Sequence, residues 1–341
     1  MTFNVSTVAA LILFPLMAVP LFSDICEAGD DLMQCAGKPD NGERLACYDA
    51  LNAARLQQSK SPAAERSYLT RSWDLDNRDE ELLGERQSPL RPHHVTYLIV
   101  RRTGEANLYP YSPAHPPSNL AADIDLSELK FQISQKAKVL NSLKINYFGI
   151  ASVRLWGAYT QQSNWQAFNA YNSSPFRETN YEPELIATFN TGNPYGMKLI
   201  NLGYVHQSNG RDSPSSRSWN RVYLQGGWES ETLSLLVRGW WRIPEPATQD
   251  DNPDIEDYIG RGDVTLRWEP LDGSQVIDLT LRNNLRSDFN RGFIQLDWAT
   301  PISVGSSAKL HIQLTSGYGE SLIDYNFSQT TFGFGVSFRG W

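Results

Sequence analysis

The stretch Ile277-Asp-Leu-Thr-Leu-Arg282 alternates apolar and polar side chains at every position. This period of two is typical of a β-strand that presents two different faces to its surroundings. The same alternation recurs through the second half of the chain, in residues 233–242, 263–268, 294–298 and 309–314. Two folds produce it: a soluble antiparallel sheet with one face on a core, and a membrane barrel whose apolar face contacts lipid.

Several features favour the membrane barrel over the soluble sheet. The strands reach roughly nine or more residues, the length that a tilted strand needs to cross a bilayer. Arg and Asp occur together on the polar faces, as expected for a lumen of paired charges. The last ten residues carry Phe332, Phe334 and Phe338 on one parity and end on Trp341. Terminal strands of this kind resemble those of bacterial outer-membrane proteins.

We therefore predict an all-β fold, a twelve-stranded antiparallel transmembrane β-barrel with a small N-terminal periplasmic extension. The extended segments cover residues 95–102, 126–140, 149–162, 179–191, 196–208, 218–229, 232–242, 257–269, 275–286, 292–300, 307–318 and 329–340. Long connections follow strands one, three, seven and eleven. Because the periplasmic turns of such barrels are short and the outer loops long, odd-numbered strands are expected to end at the outer surface.

The region before the barrel divides into two parts. Residues 1–28 read as a signal peptide, because the run from Val8 to Phe22 is apolar, uncharged and too short to span a membrane. Its cleavage after Ser23 or near Ala28 stays open. Residues 29–92 form an N-terminal extension and linker, in which Glu43 to Gln57 has helical spacing. The barrel domain is predicted over residues 93–341.

Cysteine content and charge limit the compartment and the partners. Cys35 and Cys47 suit a disulfide in an oxidising compartment, which leaves Cys26 as a free thiol or an alternative partner. A zinc site is less favoured, since no nearby histidine completes a ligand set. The net charge of −8 argues against binding to nucleic acid.

Three polar residues lie on the parity that the barrel prediction turns toward lipid. His206 and Ser208 share the parity of Ile200, Leu202 and Tyr204 at the outer end of strand five. In strand six, Asn220 shares the parity of the apolar residues that follow it, and strands five and six are expected to pair as a hairpin. Polar groups that face hydrocarbon cost a few kcal/mol unless they have a purpose.

These groups have the chemistry of a nucleophile, a base and an orienting amide. Ser208 could attack an ester carbonyl, His206 could take the hydroxyl proton, and the carbonyl oxygen of Asn220 could fix the imidazole tautomer. The substrate that meets such a wall is a membrane lipid. The alternative is that His206 and Ser208 are ordinary polar residues at a strand end, because an H-x-S pair is by itself a weak signal.

Three long motifs resemble the bacterial outer membrane phospholipase A family. They are 206–221 (His206 to Arg221), 173–183 (Ser173 to Pro183) and 316–327 (Ser316 to Phe327), and the resemblance spans about residues 93–341. It implies a twelve-stranded barrel with a Ser-His-Asn triad on its outer face. It also implies a calcium-dependent homodimer in the outer membrane that hydrolyses acyl ester bonds of phospholipids and lysophospholipids, with its active site at the outer leaflet.

Carried onto this chain, the resemblance assigns a role to each residue of the motifs. Ser208 is the nucleophile, His206 the base and Asn220 the orienting group, and the amide of Gly210 contributes to the oxyanion hole. The expected Ca²⁺ ligands are the Arg211 carbonyl, the Ser216 hydroxyl and the Ser173 hydroxyl of the partner subunit. Gln161 matches a polar residue that hydrogen-bonds across the dimer interface. The family's loop more often reads Arg-Ser-Asp-Pro, whereas this chain has Asp212 before Ser213, which bears on calcium affinity.

Other candidate sites carry weaker signals. The loop from Asp250 to Asp257 begins like a calcium loop but has Ile255 at its sixth position, so we interpret it as a solvated acidic loop. The remaining histidines are interpreted as surface or lumen residues. The alternative function is a passive or structural outer-membrane barrel without catalysis, which needs only the alternating strands.

Overall fold

A computed structural model describes residues 35–59, 66–77, 90–117, 121–147, 149–192, 196–271, 273–303 and 307–338. The chain forms two compact units, Met1–Pro62 and Ala63–Trp341. The predicted signal peptide and Cys26 lie outside the described residues.

In the described part of the first unit, a long helix, α1 (Asn41–Ser59), lies where helical spacing predicts one. Asp40 caps it, because its carboxylate accepts the backbone N–H groups of Gly42 and Glu43, both at 2.9 Å. The predicted disulfide between Cys35 and Cys47 is present, with 5.5 Å between the Cα atoms. Among the described residues, no helix is long and apolar enough to cross a membrane.

The second unit is built on twelve long strands. They are β1 (Thr96–Thr103), β2 (Ser127–Tyr147), β3 (Ile150–Trp165), β4 (Phe176–Asn190), β5 (Met197–Ser208), β6 (Ser218–Glu229), β7 (Leu233–Ile243), β8 (Gly262–Trp268), β9 (Val276–Asn283), β10 (Gly292–Pro301), β11 (Ala308–Gly317) and β12 (Gln329–Phe338). Each pairs antiparallel with its sequence neighbours, and β12 pairs with β1 to close the sheet into a barrel. The predicted fold class is therefore confirmed.

The strand ends differ most from the prediction in two places. β2 continues to Tyr147, beyond the predicted end at residue 140, and its hairpin with β3 turns at Gly149, where φ is +78°. The predicted strand 257–269 begins only at Gly262, because Glu256–Ile259 form a short helix, α3. Gly260 ends that helix with a φ of +81°, a conformation that L-residues rarely adopt.

The two faces of the barrel have opposite character. Apolar side chains on the outer face are exposed; Leu281, for example, is 42% accessible. Charged side chains on the inner face are buried and paired. Arg238 contacts Asp263 at 2.6 Å, and Arg267 contacts Asp278 at 2.9 Å. This is the reverse of a soluble sheet, in which the apolar face would be covered.

A short N-terminal segment fills part of the lumen. It contains helix α2 (Tyr68–Trp73), and Trp73 packs edge-to-face on the lumen-facing Trp156 with ring centroids 5.9 Å apart. Glu229, at the end of β6, anchors the segment by accepting the Ser67 hydroxyl at 2.6 Å. Residues 66–77 were predicted as part of an extension separate from the barrel. In the structure they belong to the barrel unit, because Leu69 and Trp73 bury their side chains among lumen residues.

Candidate functional site

The site lies on the outer wall, at the end of the β5–β6 hairpin. In β5, Leu202 and Tyr204 are exposed while Val205 is buried, so alternate residues face outward from the barrel. His206 and Ser208 continue the outward parity and are half-buried. The antiparallel register pairs His206 with Asn220 and Ser208 with Ser218. The hairpin alone therefore brings the histidine and the asparagine side by side.

Asn220 is held by three neighbours through both ends of its amide. Its Oδ1 lies 2.9 Å from His206 Nδ1 and accepts the Tyr204 hydroxyl, also at 2.9 Å. Its Nδ2 donates to Glu245 Oε1 at 2.9 Å. An amide oxygen facing Nδ1 requires the proton on that nitrogen, which leaves Nε2 as the basic nitrogen of a neutral imidazole. Ser208 lies two residues further along the same face of the strand.

A constrained loop follows Ser208 and contains Gly210. Asn209 is buried and ties the two ends of the loop together, since its backbone N–H donates to the Arg217 carbonyl at 3.0 Å and its Oδ1 accepts the Arg217 N–H at 2.9 Å. Gly210 has a φ of +62°, and a Cβ added there would lie 3.0 Å from Tyr181 Cε2. Glycine is thus required both by the backbone and by the neighbouring ring. The Gly210 amide lies within two residues of Ser208 along the chain.

The predicted calcium residues supply oxygen atoms, the donors that Ca²⁺ prefers. Arg211 and Ser216 lie on the loop just described, and the Ser216 hydroxyl donates to Asp251. The Arg217 guanidinium donates hydrogen bonds to the carbonyl oxygens of Pro214 and Ser216, at 3.0 and 2.6 Å. A carbonyl, a hydroxyl and a nearby carboxylate fit a hard cation of this kind. Ser173 is exposed on the β3–β4 connection, where it is accessible to a second subunit.

The acidic loop is more than a solvated surface segment. Asp251 accepts from Ser216, and its other oxygen lies 2.8 Å from His115 Nε2. His115 Nδ1 lies 3.4 Å from the Ser213 hydroxyl, while Asp212 is exposed. Asp251 and His115 therefore connect two loops. The loop after β7 contacts the loop that carries the candidate calcium residues, and His115, which the sequence did not single out, contacts both.

Gln161 lies on the outer wall close to the same site. It accepts the Tyr159 hydroxyl at 3.1 Å and donates to Ser163 at 3.2 Å. In the sheet it is opposite Tyr181, which is in turn opposite Ser208. A contact made by Gln161 across a dimer interface would thus lie two strands away from the candidate nucleophile, with only β4 between them.

Tyr204 and Glu245 are two neighbours of Asn220 that sequence reasoning missed. Tyr204 was identified only as a lipid-facing residue, although its position two residues before His206 is a usable signal. Glu245 follows β7, where Ile243 is paired with Asn220. Burial raises the pKa of the Glu245 carboxyl, although the hydrogen bond from Asn220 and the charge of Arg242 act in the opposite direction. Only the β6–β7 register identifies Glu245 as a neighbour of Asn220.

A second group of titratable residues lies in the lumen, away from the outer wall. His93 is buried, and its Nε2 is 2.9 Å from Glu184 Oε1. The carboxylate also accepts the Tyr223 hydroxyl at 3.0 Å. His93 and its neighbour His94 line the interior cavity beside helix α2. These residues are part of the lumen packing, as the sequence led us to expect for the remaining histidines.

Comparisons with known proteins point to one family for this chain. The family model described as phospholipase A1 matches residues 69–338, so the match begins inside the lumen segment rather than near residue 93. A putative phospholipase A1 of Neisseria meningitidis is 32% identical over 91% of both chains. The outer membrane phospholipase A structure from Escherichia coli aligns at 35% identity with a TM-score of 0.62, over 73% of this chain and 98% of that one. A Salmonella typhi outer membrane phospholipase, described as a dimer with bound calcium, aligns at 35% identity with a TM-score of 0.63, over 76% and 95%.

Proposed function

This chain belongs to the phospholipase A1 family, and we propose that it is a calcium-dependent hydrolase of phospholipid and lysophospholipid acyl esters. The family and the transmembrane barrel make it an outer-membrane phospholipase. The observation that carries the finer proposal is the 2.9 Å contact between His206 and Asn220, on a lipid-facing wall, beside Ser208.

In the proposed mechanism Ser208 Oγ attacks the ester carbonyl while His206 Nε2 takes its proton. The Asn220 oxygen holds Nδ1–H and thereby keeps the imidazole in the tautomer that can act as a base. His206 then returns the proton to the leaving alcohol, and a water molecule hydrolyses the acyl-enzyme through the same base. The Gly210 N–H stabilises the oxyanion in both tetrahedral intermediates.

The carbonyl of Arg211 and the hydroxyl of Ser216 would hold Ca²⁺, together with the Ser173 hydroxyl of the partner subunit. Bound there, the ion would supply positive charge near the developing oxyanion. To serve as a ligand, the Ser216 oxygen must offer a lone pair, and its hydrogen bond to Asp251 already directs its proton away. The proposed homodimer makes activity depend on association, with Gln161 as a polar contact at the interface.

The location of the site at the outer leaflet is part of the same proposal. It is supported by the pattern of connections, since the longer ones, including 209–217 and 244–261, lie at the end of the barrel that carries Ser208. Short turns belong on the periplasmic side of such barrels.

Ser208→Ala tests the assignment of the nucleophile. We expect the refolded variant to keep the heat-modifiable gel migration of a barrel, because the hydroxyl lies at the wall and its loss opens no core cavity. Phospholipid hydrolysis with calcium should fall by orders of magnitude. More than about a tenth of the activity surviving would contradict the assignment. Leakage of a small solute from vesicles, without lipid hydrolysis, would instead support the alternative of a passive barrel.

A further inference from the structure

The amide of Asn220 donates a hydrogen bond to a carboxylate, and a Ser-His-Asn triad does not require one. Asn220 Nδ2 donates to Glu245 Oε1 at 2.9 Å, and Glu245 is half-buried in the connection after β7. In the triads that use an acid, a carboxylate contacts the histidine directly. Here a carboxylate is present, but one amide group farther from the imidazole.

We propose that Glu245 is a positioning residue that orients the Asn220 amide toward His206 and extends the catalytic arrangement to Ser208-His206-Asn220-Glu245. This inference rests on the proposed function of Ser208 and His206. It assigns to Glu245 the negative charge that a neutral asparagine does not itself supply.

Glu245 fixes the orientation of the Asn220 amide. An asparagine amide has two nearly isosteric ends, and only its oxygen can accept from His206 Nδ1. A carboxylate accepts hydrogen bonds and donates none, so Glu245 admits only the orientation with Nδ2 toward it. The Tyr204 hydroxyl, at 2.9 Å from Oδ1, is a donor that acts in the same sense. Without Glu245, the reversed amide orientation would no longer be disfavoured by a carboxylate facing the amide oxygen. In that orientation Nδ2 would face His206 Nδ1, so the proton would sit on Nε2, which could then not act as the base.

Glu245 also places a negative charge next to the Asn220 amide. A charged acceptor on Nδ2 polarises the amide and strengthens Oδ1 as an acceptor, because hydrogen bonds in a chain reinforce one another. The polarised amide would therefore stabilise the imidazolium that forms during attack more strongly than an amide without a charged neighbour would. The charged groups that face Glu245 are Arg242, Asp250 and Asp251. Arg242 is already paired with Asp250 at 2.6 Å, so it does not neutralise Glu245 by a direct ion pair of its own in this arrangement.

Two substitutions separate the roles of Glu245. Glu245→Ala removes both the acceptor and the charge, whereas Glu245→Gln keeps an acceptor oxygen and removes only the charge. Glu256→Ala is the matched control, since Glu256 lies at the end of the same connection and pairs with the exposed Arg261. The kcat and apparent KM of each dimeric, calcium-saturated variant are measured with a monoacyl ester in mixed micelles from acid to alkaline pH.

We expect Glu245→Ala to lower kcat by about tenfold or more, with the apparent KM within about twofold of the wild type. Glu245→Gln should recover part of that loss. In both variants the acid limb of the pH–rate profile should move to lower pH, because removal of a negative charge disfavours protonation of the base. A loss of activity without that displacement, or kcat values equal to those of Glu256→Ala, would overturn the proposal.

The outcome is distinguishable from a failure of the proposed function. If Ser208→Ala stays active, the nucleophile is wrong and the Glu245 argument falls with it. If Ser208→Ala is inactive and Glu245→Ala behaves as the wild type, the triad stands and only Glu245 is excluded. Labelling of Ser208 by a fluorophosphonate, slower in Glu245→Ala than in Glu256→Ala, gives a second measure that does not depend on micelle binding.

Discussion

Replacing Gly210 by alanine should remove catalysis while leaving the barrel folded. Gly210 has a φ of +62°, a conformation that costs an L-residue about 1 kcal/mol relative to glycine. The new Cβ would lie 3.0 Å from Tyr181 Cε2, so the ring or the loop must move by a few tenths of an ångström. Tyr181 sits in β4 opposite Ser208, and the positive φ adds strain to the loop itself, so we expect the Gly210 amide to shift.

The expected size of the effect follows from what the loop carries. In the proposed mechanism a displaced Gly210 amide no longer stabilises the oxyanion, and the loss of one such donor costs ~10²–10³-fold in kcat, or about 3–4 kcal/mol. The same shift should raise KM little, since the donor acts on charge that develops only in the transition state. Stability should fall by only about 1 kcal/mol, the cost of the backbone conformation.

Gly149→Ala is the matched control for backbone strain. Gly149 has a φ of +78° at the β2–β3 turn, and an added Cβ there would meet nothing within 4 Å. Both variants are compared by thermal unfolding in detergent and by single-turnover acyl-ester hydrolysis with saturating calcium. Gly149→Ala should show the stability loss without the loss of rate. A Gly210→Ala variant that keeps kcat within about threefold of Gly149→Ala would refute the assignment of its amide to the oxyanion hole.

Three further outcomes are expected. Asn220→Ala should be milder than Ser208→Ala in the ester assay, because an orienting amide contributes less than the nucleophile; equal losses would give the amide a larger role. Calcium should shift the protein toward dimers in sedimentation, and Ser216→Ala should weaken both dimerisation and hydrolysis. Full hydrolysis by a monomer in chelator would contradict the dependence of activity on calcium and on dimerisation. Glu320, in the connection after β11, is buried, which alone would raise its pKa, but Lys130 and Arg101 hold that pKa at about 2, below the ordinary 4.5. Its stabilising effect is therefore complete above about pH 4.5 and is lost as the pH falls toward about 2. Glu320→Gln should lower the unfolding temperature at neutral pH, and its difference from the wild type should vanish as the pH approaches about 2. A difference that persists at that pH would contradict the link between Glu320 protonation and stability.

The sequence by itself determined the architecture of the barrel and the face on which the candidate site lies. Side chains in a strand alternate between faces, so the apolar parity of residues 200–204 was enough to predict where His206 and Ser208 point. Asn220 followed from the same reasoning, since consecutive antiparallel strands pair as a hairpin and make its strand the partner of β5. These inferences rest on local periodicity, which is written in consecutive residues.

Strand ends and the lumen segment were predicted less well. The sequence does not distinguish the short helix Glu256–Ile259 from the start of a strand, because four residues hold too little periodicity. Residues 66–77 read as part of a polar linker. Their burial depends on Trp156 and Glu229, which lie far along the chain and form a suitable lumen only once the barrel has closed.

The environment of Asn220 and Ser216 was decided by the tertiary structure alone. Glu245 is 25 residues from Asn220, and Asp251 lies 35 residues from Ser216 and 136 from His115. Each of these contacts depends on the register between neighbouring hairpins and on how the outer loops fold over the barrel rim. A one-residue change of register would turn a side chain to the opposite face, and no local pattern records the register of a distant strand.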